Sequence, residues 1–203
     1  MIKNIDLIQE IKKNGFVEIE NFINNEKLNI LRNFVDLKLE ENNHEYFFLT
    51  SSEEKEKTIL NNDVFFKKIE DLLKGITLDL NFSIRKDEKL YKVLRVVTGE
   101  KSTKVSLKYH FDAHLLTLLI PVYIPERKNS DNGNLIIIKN LRKLTKSLFI
   151  NIVQKLFFQI NFFKKLFIER NLIKKDTLNL KPGNIYIFNG FTTLHTNMNI
   201  DPR

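Results

Sequence analysis

The fold of this chain is decided by the stretch Lys108-Tyr109-His110-Phe111-Asp112-Ala113-His114 and by the later segment Gly190-Phe191-Thr192-Thr193-Leu194-His195. In an extended strand, residues i and i+2 point to the same face, so His110 and Asp112 present an imidazole and a carboxylate side by side. A second imidazole from His195 would complete a set of three ligands. Together the two segments predict a metal site with three protein ligands and open positions opposite them.

The ligand types favour iron. The chain has no cysteine, so disulfides and thiolate sites for softer metals are both excluded. Nitrogen and oxygen donors suit Fe(II), and two histidines with one carboxylate on one face of the metal are the ligand set of non-haem Fe(II) sites. The alternative is chance, since His-x-Asp occurs in many chains that bind no metal. The motif alone therefore does not establish the site.

Length and composition predict one ordinary globular domain. The chain has 203 residues, of which 42% are hydrophobic and 29% charged, enough to bury a sizeable core. The opening Met1-Ile2-Lys3-Asn4-Ile5-Asp6 carries an acid early, and no apolar stretch of the secretory kind follows it. We therefore expect a cytoplasmic protein.

Positive charge is concentrated in one segment, Lys139 to Asp176. This segment contains ten basic residues and two acidic ones, Glu169 and Asp176, a surplus of eight that equals the +8 net charge of the whole chain. The basic residues are Lys139, Arg142, Lys143, Lys146, Lys155, Lys164, Lys165, Arg170, Lys174 and Lys175. Apolar residues recur at helical spacing between Ser147 and Ile173, which predicts a helical segment with a basic face.

The first third of the chain predicts helices with one strand between them. Apolar residues at helical spacing, asparagine caps and a glycine after the first helix support this pattern. The predicted elements are a helix over Asp6–Asn14, a strand over Phe16–Glu20, a helix from Asn24 or Asn25 to Glu41, a helix start at Ser51–Glu54, and a helix over Asp63–Lys74.

After Gly75 the apolar period changes to two, which is typical of strands. Short strands separated by tight turns favour a sandwich or barrel over a parallel sheet. The predicted strands are Ile76–Phe82, Leu90–Thr98, Val105–Ala113, Thr117–Ile124, Asn134–Ile138, Leu178–Leu180 and Ile185–Phe188, with His195 on the next strand or its entry loop.

Several of these motifs occur in an order that resembles a known superfamily, the 2-oxoglutarate and Fe(II)-dependent dioxygenases, most of all its phytanoyl-CoA dioxygenase-like branch. The resemblance extends from about Lys92 to Arg203 and is weakest across Leu141–Asp176. The motifs that carry it are His110-Phe111-Asp112, the apolar strand Thr117–Ile124, the turn Asp131-Asn132-Gly133-Asn134-Leu135, the stretch Lys181-Pro182-Gly183-Asn184-Ile185-Tyr186-Ile187-Phe188, and His195.

The resemblance implies a mainly β, α+β fold: a double-stranded β-helix, or jelly roll, with helices packed on one side. One dioxygenase-like domain would then span residues 1–203. Its helix-rich N-terminal part would cover 1–75, its jelly-roll strands 76–138 and 177–203, and a basic helical insertion 139–176.

The resemblance also implies Fe(II) held by His110, Asp112 and His195, with 2-oxoglutarate as cosubstrate. In that family two neutral imidazoles and a carboxylate hold the iron and leave positions open for the cosubstrate. The expected activity is hydroxylation of a small molecule or of a carrier-linked or lipid-linked one. The alternative is a catalytically inactive jelly-roll module that binds metal or a partner through its basic helical face.

Three further residues are expected at the site. The family holds the far carboxylate of 2-oxoglutarate with a basic residue beyond the distal histidine. Arg203 stands eight residues beyond His195, which is short for the family. Either a tight loop brings Arg203 into this role or the usual residue is absent, and Arg95 is then the replacement candidate, with a plain structural role as its alternative. Thr117 is a candidate for lining the pocket and is also an ordinary strand residue.

The expected partner is a small-molecule substrate, and the basic segment makes an anionic one a natural candidate. The same segment suits three roles: an interfacial helix on anionic lipid, a lid over the substrate, or a purely structural helix with a solvated basic face. Nucleic acid is not favoured, because the basic residues interleave with a broad apolar face and no stacking platform is evident.

Overall fold

The computed structural model describes residues 4–50, 59–80, 82–83, 90–98, 109–124, 133–142, 149–150, 152–154 and 173–198. Apart from the helical residues at 149–150 and 152–154, these contain three α-helices, one short 3-10 helix and eight strands. The helices are α1 (Asn4–Asn14), α2 (Asn25–Glu41), the 3-10 helix (Ile59–Asn61) and α3 (Asp63–Asp79). The strands are β1 (Phe16–Ile19), β2 (Phe47–Thr50), β3 (Val93–Val96), β4 (Thr117–Leu119), β5 (Leu135–Ile138), β6 (Asp176–Leu178), β7 (Ile185–Phe188) and β8 (Leu194–Asn197).

The strands form three sheets, in which every pairing is antiparallel. One sheet has the order β1-β7-β4, the second has the order β6-β5-β8, and β2 and β3 form a separate two-stranded ribbon. Across the described residues these sheets do not close into a barrel. The sandwich-like arrangement is consistent with a jelly-roll-like fold, as the sequence predicts.

Strand β7 is buried on both faces, which explains why its four residues are all apolar or aromatic. Ile185 and Ile187 are fully buried among residues of the three helices. Tyr186 and Phe188 point the other way, against Leu135 and other residues of the second sheet. The β1-β7-β4 sheet is therefore the middle layer, with helices on one side and the β6-β5-β8 sheet on the other.

The predicted opening of helix, strand and helix is confirmed. The amide of Gly15, at φ +82°, donates to the Ile11 carbonyl at 2.9 Å and ends α1. A side chain at Gly15 would collide with Lys139, so the left-handed turn and the close approach both require glycine. The Asn24 side chain accepts a hydrogen bond from the Lys27 amide at 2.9 Å and caps α2.

The predicted strand Ile76–Phe82 is wrong, because α3 continues through Gly75 to Asp79. Ile76 is fully buried in the core that the helices share with the first sheet. It continues the helical spacing set by Ile69 and Leu72–Leu73, and this burial outweighs the roughly 1 kcal/mol that a glycine costs inside a helix. The predicted strand region 76–138 therefore begins with the end of a helix.

Two other strand boundaries differ from expectation. The predicted strand Thr117–Ile124 is shortened to β4, which ends before Pro121, a residue with no amide for a further ladder bond. Leu118 and Leu119 pack on opposite core clusters, so β4 is covered on both faces as predicted. Strand β2 was not predicted from the sequence at all, since its pairing with β3 forms only in the fold.

Several predictions fall outside the described residues: the helix start at Ser51–Glu54, the first part of Val105–Ala113, most of Ser147–Ile173, and Arg203. Within the basic segment, residues 149–150 and 152–154 are helical, and the helical insertion over 139–176 stays a prediction. Among the described residues no helix is both long enough and apolar enough to cross a membrane.

Two basic residues of that segment belong to the fold itself. The Lys139 amine donates to the Lys13 carbonyl at 3.1 Å, and the side-chain amide of the neighbouring Asn140 donates to the Lys12 carbonyl at 3.3 Å. Both bonds cap the C-terminal end of α1, where a cation also meets the negative end of the helix dipole. Arg142 is 5% exposed. These two cations are therefore not part of a free basic face.

Candidate metal centre

The two predicted histidine ligands are brought together by the backbone. His110 and His195 form an isolated antiparallel bridge, in which the His110 amide donates to the His195 carbonyl at 3.0 Å and the His195 amide donates to the His110 carbonyl at 3.1 Å. Residues paired in this way project their side chains to one side of the ladder. The two imidazole rings accordingly lie 4.3 Å apart, centroid to centroid.

Asp112 completes the set. Its amide donates to the Gly190 carbonyl at 3.0 Å, which ties the His-x-Asp segment to the turn before β8. Its carboxylate oxygens lie 3.7 Å from His110 Nε2 and 3.6 Å from His195 Nε2. One ligand atom from each of the three residues lies within 4.8 Å of the others. The spacing and the nitrogen and oxygen donors fit one metal ion such as iron.

The residue between the ligands points away from them, as strand alternation requires. Phe111 is 5% exposed and packs with Ile138 and Leu194 in a separate small core. The alternation that predicted His110 and Asp112 on one face is therefore present in the structure.

The environment of His195 holds its ring in the form that binds a metal. Its Nδ1 lies 3.1 Å from the Thr193 carbonyl, which only accepts, so Nδ1 carries the proton and Nε2 faces Asp112 with its lone pair. Burial lowers the pKa of His195 and outweighs the nearby Asp112 carboxylate, which raises it. The neutral imidazole is thus favoured at neutral pH.

Two small residues shape the space around Asp112. The Thr117 hydroxyl donates to Asp112 Oδ2, so Thr117 orients the carboxylate of a candidate ligand. The predicted contact of Thr117 with a cofactor stays a prediction. A Cβ on Gly190 would lie 2.8 Å from Asp112 Oδ2 and 2.9 Å from Asp112 Cβ. Only a residue without a side chain leaves the carboxylate where it is.

Arg95 lies close to the metal centre. Its guanidinium donates to the Asn197 side-chain oxygen at 3.5 Å, and Asn197 follows His195 by two residues on β8, hence on the same face. Burial is the main cause of the lowered pKa of His195, and the positive charge of Arg95 adds to it. Arg203, the other predicted cation, lies outside the described residues.

Arg142 is a site-supporting residue that sequence reasoning placed on a basic surface. Its guanidinium lies between two aromatic rings, 4.3 Å from the centroid of Phe111 and 3.9 Å from that of Phe191. Its Nε donates to the Phe191 carbonyl, and burial lowers its pKa. Arg142 therefore joins the segment carrying His110 and Asp112 to the turn that leads into His195. Nothing in the local pattern distinguishes it from its basic neighbours.

Two further polar residues flank the His-x-Asp segment. His114 is exposed, and its ring lies 5.5 Å from that of Tyr91. Tyr109 packs beside Phe111, and partial burial raises its pKa. The fourth histidine of the chain, His44, is an exposed loop residue with φ +58° after α2.

Comparisons with known proteins support the fold. No protein-family profile and no curated protein matches the sequence. Among solved structures, a Pseudomonas putida prolyl-4-hydroxylase matches with a TM-score of 0.59 and 8% identity, over 97% of this chain and 91% of that chain. SnoK, a non-heme alpha ketoglutarate dependent carbocyclase from nogalamycin biosynthesis, matches with a TM-score of 0.60 and 11% identity, over 98% of this chain and 79% of that chain.

At these identities the comparisons establish a shared fold and no closer kinship. They do not single out the phytanoyl-CoA dioxygenase-like branch, which stays a prediction. The chain thus has the fold of these two enzymes and, within it, a His-Asp-His cluster able to hold iron.

Proposed function

We propose that this protein is an Fe(II) and 2-oxoglutarate-dependent dioxygenase that hydroxylates a small molecule. The observation that carries the proposal is the convergence of His110, Asp112 and His195 on one point. The shared fold supports it, since one structural neighbour is described as alpha ketoglutarate dependent and the other as a prolyl-4-hydroxylase. The two imidazoles and the carboxylate would hold the metal. Iron and 2-oxoglutarate, when bound, would supply hydroxylation of a substrate C–H bond with dioxygen as the oxidant, one oxygen atom going to the substrate and the other to succinate, with release of carbon dioxide.

The three ligands differ in exposure in a way that suits this chemistry. The side chain of His195 is 7% exposed, that of Asp112 is 21% exposed and that of His110 is 45% exposed. The inner ligand is thus shielded from water, and its proton is held at Nδ1 by the Thr193 carbonyl. Small molecules would reach the metal from the side of His110.

The far carboxylate of 2-oxoglutarate requires a cation. Arg203 is the first candidate by its order after His195, and Arg95 is the second. Arg95 is supported by its bond to Asn197 beside the metal centre. A guanidinium suits this role because its fork matches a carboxylate.

We also propose that the chain forms a jelly roll, belongs to the phytanoyl-CoA dioxygenase-like branch and works in the cytoplasm. Its substrate would be a small molecule, which in the finer form of the proposal is linked to a carrier or a lipid. The basic insertion as a lid or as an interfacial helix on anionic lipid stays part of the proposal. Exposed Phe149 and Ile152, at 75% and 58%, favour a contact beyond simple packing.

The experiment that tests the proposal is an anaerobic titration with Fe(II) and then 2-oxoglutarate, followed by a succinate assay in air without added substrate. We expect one iron per chain and slow succinate formation. His110→Ala should weaken iron binding by on the order of several kcal/mol, because two remaining ligands chelate poorly. His44→Ala, in an exposed loop, is the matched control and should leave iron binding unchanged.

Two results would redirect the proposal. Iron affinity unchanged in His110→Ala would remove the metal centre. Stoichiometric iron with no succinate would favour the inactive jelly-roll module instead. For the cosubstrate, Arg203→Ala and Arg95→Gln are compared, and the cation that matters is the one whose loss weakens 2-oxoglutarate while sparing iron.

A further inference from the structure

Thr117 and Gly190 enclose one oxygen of the candidate ligand Asp112. The Thr117 hydroxyl donates to Asp112 Oδ2, and a Cβ on Gly190 would lie 2.8 Å from the same oxygen and would collide with the hydroxyl. The hydroxyl and the oxygen therefore share a space that only a glycine leaves open. The Asp112 amide also donates to the Gly190 carbonyl at 3.0 Å, so the backbone and the side chain of Asp112 are both fixed at this point.

Thr117 is itself held in place by the β1-β7-β4 sheet. It is the first residue of β4 and pairs with Phe188 of β7. Phe188 is buried, and its ring lies 4.9 Å from that of the candidate ligand His195. A β-branched side chain on a strand has few rotamers, so the direction of the hydroxyl is set by the strand. The hydrogen bond to Asp112 thus links the middle layer of the fold to the metal centre.

The two oxygens of Asp112 differ in their hydrogen bonding. Oδ1 lies 3.7 Å from His110 Nε2 and Oδ2 lies 3.6 Å from His195 Nε2, so distance alone does not choose which oxygen binds a metal. The Thr117 hydroxyl does, because it binds Oδ2 and draws electron density from it. A carboxylate can bind a metal through one oxygen or through both, and here Oδ1 is the better donor.

We propose that Thr117 is a positioning residue that limits Asp112 to one bond with the metal, through Oδ1. The inference rests on the proposed function for the identity of the cosubstrate, and it adds how the site keeps room for that molecule. A second bond through Oδ2 would take one of the positions that 2-oxoglutarate and dioxygen need. The Thr117 hydroxyl therefore favours binding of the cosubstrate by acting through Asp112.

The test removes the hydroxyl and uses Co(II) as the probe metal, because Co(II) accepts the same nitrogen and oxygen donors and its visible absorption depends on the number of bound ligands. In Thr117→Val, Asp112 should bind through both oxygens, which changes the Co(II) spectrum. Equilibrium dialysis should show the Kd of 2-oxoglutarate for the Co(II)-loaded protein rising about tenfold. The Kd of Co(II) itself should rise by less than about threefold, because Oδ2 adds a bond.

Thr117→Ser and Thr77→Val are the matched variants. Thr117→Ser keeps the hydroxyl and should restore both the wild-type spectrum and the affinity for 2-oxoglutarate. Thr77 donates its hydroxyl to the Leu73 carbonyl at 2.8 Å within α3, so Thr77→Val makes the same chemical change in a helix and should alter neither.

The wild-type protein alone provides a second measurement, which does not depend on a variant that folds. An infrared difference spectrum between metal-free and Co(II)-loaded protein isolates the stretches of the carboxylate that binds the metal. Binding through one oxygen separates the two carboxylate stretches widely, whereas binding through both brings them close together. We expect the wide separation.

The inference is overturned if Thr117→Val and wild type give the same Co(II) spectrum, if Thr117→Ser fails to restore it, or if the wild-type infrared stretches lie close together. Weaker 2-oxoglutarate binding with an unchanged spectrum also overturns it, and would assign Thr117 to the cosubstrate. Failure of the proposed function looks different: iron-loaded wild-type protein forms no succinate, while the Co(II) spectrum still depends on the Thr117 hydroxyl.

Discussion

Strand β7 and the β2–β3 ribbon are made of similar residues in opposite surroundings. Ile185, Tyr186, Ile187 and Phe188 of β7 are at most 2% exposed, because helices cover one face and a sheet covers the other. The ribbon has aromatic and β-branched residues too, but Phe48 and Val93 are half exposed. Apolar side chains thus stabilise the core in β7, whereas in the ribbon they form an exposed surface beside the metal centre.

The largest expected effect tests the stability half of this comparison. Ile187→Ala removes a fully buried side chain from between α-helices and strands, and we expect a loss of about 3 kcal/mol in the free energy of unfolding. Phe48→Ala on the ribbon is the paired change and should alter it by less than about 0.5 kcal/mol. Urea denaturation measures both. Equal losses would show that the ribbon is part of the core.

The next effect concerns the Arg142 guanidinium, which contacts residues next to the candidate ligands. Arg142→Ala leaves Phe111 and Phe191 without the cation between them and the Phe191 carbonyl without its donor. We expect a loss of about 2 kcal/mol in unfolding free energy together with weaker iron binding. Arg142→Lys should restore little of either, since an ammonium cannot stack as a guanidinium does. Full stability with normal iron affinity in Arg142→Ala would show that the arginine positions nothing.

A third change separates the metal centre from stability. Gly190→Ala places a Cβ against the Thr117 hydroxyl and 2.8 Å from Asp112 Oδ2, so the carboxylate must move. Iron affinity should fall about tenfold or more, comparable to the loss of a partner that orients a ligand. Gly75→Ala inside α3 is the control, and it should leave iron unaffected and stabilise the helix by up to about 1 kcal/mol. Identical iron titrations for both variants would contradict the close packing at Gly190.

The smallest effect is a pH dependence inside β7. Burial first, and then a hydrogen bond to Glu18, raises the pKa of Tyr186 to about 12 from an ordinary value of 10.0. The neutral phenol is favoured by the fold, so its contribution is complete below pH 10 and is lost as the pH rises toward 12. Tyr186→Phe should lower the free energy of unfolding by about 1 kcal/mol at neutral pH. It should also remove most of the dependence of that free energy on pH between these two values. Alkaline denaturation curves that superimpose would refute it.

Two of the three candidate ligands, His110 and Asp112, were predictable as neighbours because their pattern is local, whereas His195 reaches them only through a long-range backbone bridge. Strand alternation alone sets His110 and Asp112 on one face, and helical spacing with asparagine caps sets α1 and α2. What could not be predicted depends on distant contacts. Ile76 is helical because its side chain packs into the core that the helices share with the first sheet. Strand β2 forms because β3 pairs with it. Arg142 is buried because two phenylalanines from separate segments enclose its guanidinium.

The reciprocal hydrogen bonds between His110 and His195 also bear on how the protein folds. These residues are distant in the chain, so we expect their bridge to close late in folding, after the segments on either side are in place. A metal ion bound across the bridge would act on the finished contact. It should therefore slow unfolding markedly and change the folding rate little, which makes bound metal a determinant of the protein's lifetime.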